Sequence, residues 1–155
     1  MDSTGENFLE HAKKEARIAL MENEVPVGVV IVQKGKIIAS THNMKENLKD
    51  VTAHAEILAI RMASEKIGNW RLKGCDMYVT LEPCPMCAAA IGQARISNLY
   101  IGAIDSEAGG CGSVINLVQN EVLNYFVKVN WLYDEESGQL LSDFFRNKRK
   151  NSKLL

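Results

Sequence analysis

Apolar residues recur at helical spacing near the start of the chain. In ENFLEHAKKEARIALMEN, Phe8, Leu9, Ala12, Ala16, Ala19 and Leu20 share one face and lysines and glutamates the other, which predicts an amphipathic helix. The pattern then changes. VPVGVVIV is β-branched and apolar at both parities, as in a strand covered on both faces. QKGK reads as a turn and KIIASTHN as the second strand of a hairpin. After the polar loop MKENLKDV comes TAHAEILAIRMASEKIG, a helix with Thr52 available as N-cap and Gly68 past its end. CDMYVTLE predicts a strand, and a helix opens at Cys84 and runs to about Arg95. NLYIGAID is the next strand, followed by the loop SEAGGCGS and a short helix expected around residues 114–118. NYFVKVNWLY and ESGQLLSDFFRNKRK complete the chain as last strand and last helix. Helices alternating with buried strands predict an α/β fold with helices on both faces of a mixed sheet. No repeat, linker or boundary divides residues 1–155, so a single domain is expected.

Composition narrows the setting. At 46% hydrophobic and 24% charged, the chain has the balance of an ordinary globular protein. Its longest apolar run, within VPVGVVIV, is too short for a bilayer span of about 20 residues, so no membrane partner is expected. The acidic, polar opening MDSTGENFLE resembles neither a signal nor a transit peptide, and the expected location is cytoplasmic. Thiols stay reduced there, and the four cysteines point to a metal or to catalysis before disulfides. A net charge of −1 argues against a generally basic surface that coats nucleic acid. Residues 141–155 nevertheless carry Arg146, Lys148, Arg149, Lys150 and Lys153 against Asp143, either a solvated helix face or a tail that meets phosphates.

The chemistry gathers around LEPCPMC. Cys84 and Cys87 are three residues apart, so on a helix both sulfurs point to one side. Pro83 and Pro85 suit a helix's first turn, where a missing N–H matters little. The helix N-terminus favours thiolates, the metal-binding form. His54, in HAE at the start of the preceding helix, is the best third ligand. Three protein ligands leave a fourth tetrahedral position for water, the count of a catalytic zinc rather than a structural one. Glu56 is the expected proton shuttle. In mid-helix, residues two apart diverge, so Glu56 reaches the same site as His54 only if His54 sits at the helix's very beginning. A redox cysteine pair needs no HAE upstream. A structural zinc needs a fourth ligand such as Cys75, Cys111 or His42 and leaves Glu56 idle.

HAE at 54–56 followed by PCPMC at 83–87 is the signature of zinc-dependent nucleobase deaminases. With EVPVG at 24–28, TAHAE at 52–56, LEPCPMC at 81–87, GAID at 102–105, the nearby GGCGS and LSDFFR at 141–146, most of the chain resembles the bacterial tRNA-specific adenosine deaminases. That resemblance implies a three-layer α/β/α cytidine-deaminase-like fold with a central five-stranded mixed sheet. It also implies one Zn²⁺ per subunit, no organic cofactor, a homodimer, and the anticodon stem-loop of tRNA as substrate. The implied reaction is hydrolytic deamination of the wobble adenosine to inosine; the alternative is a zinc deaminase of a free base or nucleotide of guanine, cytosine or cytidine type. By the same resemblance Asn43 hydrogen-bonds the purine, Asp105 and Ser106 belong to the loop beside the flipped base, and Phe144, Phe145, Arg146 and Arg149 to the helix that holds the anticodon loop. Taken alone, Asn43 reads rather as a turn residue ending a strand, and FF at helical spacing usually has at least one ring buried. The chain departs from the family pattern at Asp50-Val51, Ala89 and Cys111.

Overall fold

The computed structural model describes residues 3–153, with side chains from Asn7 to Ser152. In chain order the elements are α1 (Ser3–Met21), β1 (Gly28–Gln33), β2 (Lys36–His42), α2 (Lys45–Leu48), α3 (Ala55–Ile67), β3 (Cys75–Leu81), α4 (Pro85–Gln93), β4 (Asn98–Ala103), β5 (Lys128–Trp131) and α5 (Glu135–Lys153). The strands form one five-stranded sheet in the order β2-β1-β3-β4-β5. β1 runs antiparallel to both β2 and β3, whereas β3, β4 and β5 are parallel. This is the expected mixed sheet of an α/β fold.

β1 is apolar at both parities because each face is covered by different helices. Val29 and Ile31 pack with Ala55, Ala59 and Ala63 of α3 and Ala88 and Ile91 of α4. Val30 and Val32 pack on the other side with Phe8, Leu9 and Ala12 of α1. α5 joins α1 on that face: the half-buried base of α5 is tied to Lys13, whose ammonium lies 3.3 Å from Asp134 and 3.1 Å from Glu136. The first turn of α5 comes close to β4 because Gly102 has no side chain; a Cβ there would stand 2.7 Å from Ser137 Oγ and from the Thr80 carbonyl.

Four local expectations are corrected. Thr52 does not cap α3; its N–H and hydroxyl both donate to Asp50, and His54 is the N-cap. No helix forms at residues 114–118: the N–H groups of Val114 and Ile115 go back to the Gly109 carbonyl, and Asn116 Oδ1 accepts from Val118 and Gln119. A side chain that satisfies these N–H groups locally removes the incentive to build a helical ladder. β5 is four residues long, far shorter than NYFVKVNWLY. The polar loop after β2 contains the single turn α2, which a buried carboxylate organises, as described below.

Candidate active site

The sheet's topology gathers one set of chain ends at a single edge. β2 and β3 finish there, β1 begins there, and β4 finishes beside β3, with Gly28 opposite His42 and Leu81 opposite Ala103. His54 stands at this edge as the N-cap of α3, in extended backbone, and Cys84 stands likewise as the N-cap of α4 with Pro85 at the first helical position. Pro83 precedes the helix instead of sharing its first turn. The Thr41 hydroxyl donates to the Ala55 carbonyl at 2.7 Å and so fastens the start of α3 to β2.

His54 Nδ1 lies 3.7 Å from Cys84 Sγ and 3.5 Å from Cys87 Sγ, and the three ligand atoms lie within 4.8 Å of one another. Around a tetrahedral zinc with bonds of about 2.3 Å to sulfur and 2.0–2.1 Å to nitrogen, N and S ligands stand about 3.6 Å apart. The trio therefore fits zinc in both chemistry and spacing. Cys75, Cys111 and His42 do not join the group among the described residues. His42 is instead clamped between Glu15 and Glu22, at 2.6 and 3.0 Å.

Of the two thiols, Cys84 is electronically prepared for this role. A hydrogen bond from Cys87, followed by one with His54, draws Cys84 down to about 4. Cys87 is pushed up, first by that same bond and then by burial. Hydrogen bonding to Cys84 raises His54. Glu56, 4% exposed and in the first turn of α3, is pushed up to about 7 by burial. A divalent cation held by the neighbouring thiolate works in the opposite direction. His54 at the helix's very start with Glu56 in its first turn is the arrangement that the HAE spacing demanded.

His54, Glu56 and Cys84 line a cavity of about 180 Å³, together with Val25, Val27, Asn43, Lys45, Ala55, Leu81, Glu82 and Asp105. That is below the roughly 300–1,000 Å³ of pockets for drug-sized ligands and suits a single base. One wall is the segment after β2. Asn43 is buried; its Oδ1 accepts from the Lys45 N–H at 3.2 Å and its Nδ2 donates to the Val25 carbonyl at 3.4 Å. Asn43 is thus a turn residue and a pocket residue at once, since each end of its amide retains one more hydrogen-bonding position. Beneath it, the fully buried Glu24 carboxylate accepts from Glu46 N (3.0 Å), Asn47 N (2.8 Å) and Asn47 Nδ2 (2.7 Å), which holds α2 in place.

Asp105 and Glu82 also border the cavity, and residues 105–113 wrap around the buried carboxylate of Glu82. It accepts from the N–H groups of Asp105, Cys111 and Ser113, each at 3.1 Å, and from the Ser113 hydroxyl. The double glycine is required by this packing. A Cβ on Gly109 would stand 2.4 Å from the Glu82 carboxylate, and one on Gly110 would stand 2.9 Å from the Cys84 backbone. GGCGS is therefore a site of close approach that fastens the Asp105 loop to the Cys84 segment. Asp105 turns its own carboxylate to Glu107 N and Ala108 N, both at 3.0 Å.

From the cavity mouth a wider groove leads away, sharing Val25, Leu81 and Asp105 with it and continuing along Ser106, Glu107, Leu141, Phe145, Arg146 and Arg149. Asp105, Ser106, Phe145, Arg146 and Arg149 are thus gathered in one trough. Neither phenylalanine joins a core cluster: Phe145 is exposed in the groove, and half-buried Phe144 meets it edge-on and carries the Lys148 ammonium over its ring. The Lys153 side chain lies outside the described residues. Glu24, Lys45 and Glu82 went unremarked in the sequence. The available signal was an acidic residue flanking an apolar strand in EVPVG and LEPC, which marks a carboxylate that burial forces to find donors.

Residues 2–103 match the family described as the cytidine and deoxycytidylate deaminase zinc-binding region. The chain is 46% identical over 146 residues to a tRNA-specific adenosine deaminase of Aquifex aeolicus, covering 94% of this chain and 97% of that protein. It is 44% identical to a protein of the same name from Bacillus subtilis, covering 96% and 92%. Among solved structures, it matches one from a study of A-to-I editing by tRNA:A34 deaminases at the wobble position of transfer RNA. The TM-score is 0.84 at 47% identity, over 87% of this chain and 99% of that one. A guanine deaminase from Bacillus subtilis matches at TM-score 0.63 and 38% identity, over 69% and 68%.

Proposed function

This chain belongs to the zinc-binding cytidine and deoxycytidylate deaminases, in their tRNA-specific adenosine deaminase branch, and from that premise we infer that it hydrolyses the wobble adenosine of a tRNA anticodon to inosine. The observation that carries this conclusion is the continuity between two features. A His54–Cys84–Cys87 trio with buried Glu56 lies at a base-sized cavity, and that cavity opens into a groove lined by Phe145, Arg146 and Arg149. A free base would occupy the cavity alone, whereas a nucleotide within RNA also needs a surface for its neighbours.

His54, Cys84 and Cys87 are the residues that hold the zinc. Zinc in such a site lowers the pKa of a water to about 7 and so supplies hydroxide at neutral pH. Glu56 takes the proton of the attacking water and delivers it to N1 of the adenine as the water oxygen adds to C6. It then assists protonation of the departing ammonia, so that adenosine and water yield inosine and ammonia. Asn43, pinned at both ends of its amide, offers its remaining donor and acceptor to the purine edge. Asp105 and Ser106 border the extruded nucleotide, and Phe145 offers a ring for a neighbouring base to stack on, an interaction of about 1–3 kcal/mol in single-stranded sites. Extrusion is cheap in a loop, where the base is already unpaired. The reaction is placed in the cytoplasm, where thiolate ligands stay reduced. A homodimer is proposed as well, supported by the family resemblance and by apolar side chains at Val122 and Phe126, 90% and 72% exposed.

The test is an anticodon stem-loop with a wobble adenosine, incubated with zinc-loaded protein beside free guanine, cytosine and cytidine and read by mass spectrometry. Inosine in the stem-loop alone is expected; deamination of a free base instead overturns the substrate. Glu56→Gln lowers kcat by about 10²–10⁴-fold or more with zinc stoichiometry unchanged. A Gln variant with normal turnover removes Glu56 from its role.

A further inference from the structure

We propose that Lys45 is a phosphate-binding residue at the mouth of the cavity, holding a phosphodiester next to the flipped nucleotide; this rests on the RNA substrate inferred above. Lys45 is the only lysine or arginine among the residues that line the cavity. The other acidic or basic side chains there, apart from the zinc ligands, are the carboxyl groups of Glu56, Glu82 and Asp105. A cavity of about 180 Å³ takes the base and leaves the ribose and its two phosphodiesters at the rim. Without Lys45 those phosphates would meet no positive side chain of the protein there. The Arg146 and Arg149 side chains line the adjoining groove, not this cavity.

The placement of Lys45 is built into the fold. Its N–H is held by Asn43 Oδ1, and the next two N–H groups, on Glu46 and Asn47, are held by buried Glu24. The backbone that carries Lys45 is therefore tied on both sides to the wall of the cavity. Its side chain is exposed, and among the described residues its ammonium makes no ion pair. A lysine placed firmly by its main chain and left uncommitted at its charge is suited to a ligand anion. An ammonium serves a phosphate as a point charge and needs no bidentate geometry.

The experiment measures equilibrium binding of the wobble-adenosine stem-loop to zinc-loaded Glu56→Gln protein across a salt series. Each neutralised phosphate contributes about 0.7–0.9 to the slope of log K against log salt. Lys45→Ala is expected to flatten the slope by about that amount, and Lys45→Arg to restore it. In the catalytically intact chain, Lys45→Ala raises KM for the stem-loop. Lys66→Ala, the same charge change at the far end of α3, about 18 Å from His54 along the helix, leaves the slope as it was. The proposal is overturned if Lys45→Ala keeps the wild-type slope, or if Lys66→Ala flattens it equally. A Lys45→Ala that shifts only the pH profile of kcat also overturns it, since the lysine would then merely offset the cavity's carboxylates. If wild-type protein forms no inosine in the stem-loop, the inferred substrate and this proposal fall together, and the missing product identifies that case.

Discussion

His42 shows how a single side chain links the first helix to the pocket wall. Each of its ring nitrogens meets a carboxylate of α1 or the residue after it, Glu15 and Glu22, and Asn43 follows it directly in the chain. Burial alone would lower its pKa, but hydrogen bonds to Glu15 and Glu22 overcome this and raise it. A histidine raised above its unfolded value of about 6.5 contributes stability that is fully present below that pH and lost as pH rises through the folded value. The stability difference between wild type and His42→Gln in urea unfolding is thus expected to be largest near about pH 6 and to shrink towards alkaline pH. A difference independent of pH would mean that the clamp holds a neutral ring. Other single residues were legible only in part. HAE and PCPMC named the zinc trio and Glu56 because their spacing carries the chemistry. Glu24 and Glu82 were not legible, since a carboxylate's worth depends on which N–H groups the fold brings to it, and its donors lie 22 to 31 residues away in the chain.

At the scale of elements, α5 has two parts. Its first turns dock on the sheet through Ser137 and the gap left by Gly102, and Lys13 bonds to Glu136 while Arg17 pairs with the same carboxylate. From Phe145 onward every described side chain is exposed. The expectation that FF would place a ring in the core is not met: Phe144 is half-buried beside Leu20 and Asn23, and Phe145 stands exposed in the groove. This exposed basic stretch borders the groove and is the part of α5 that the proposed RNA substrate would meet. Arg146→Ala combined with Arg149→Ala is expected to weaken stem-loop binding and to flatten its salt slope by about 0.7–0.9 for each phosphate no longer neutralised. An unchanged slope would mark the helix as solvated surface. The short helix expected at residues 114–118 does not form, because Asn116 and the Gly109 carbonyl satisfy its N–H groups as turns.

For the molecule as a whole, the sheet edge that carries the zinc trio opens towards the groove, while Val122 and Phe126 present exposed apolar surface. The chain is expected to sediment at about twice its 17.2 kDa mass, and Val122→Glu with Phe126→Glu to shift it to monomer. A monomeric wild type would remove the dimer. The amino-acid sequence by itself determined the alternation of helices and strands, the two-sided burial of the first strand and the identity of the zinc ligands. All three follow from local periodicity or from short spacings of chemically distinctive residues. Only the tertiary structure decided where His54 and Cys84 meet, which loops form the walls, and that Glu24 and Glu82 hold them. Those outcomes depend on strand order: an antiparallel β1 beside parallel β3 and β4 brings four chain ends to one edge, and only there do N–H groups distant in sequence converge on the two buried carboxylates.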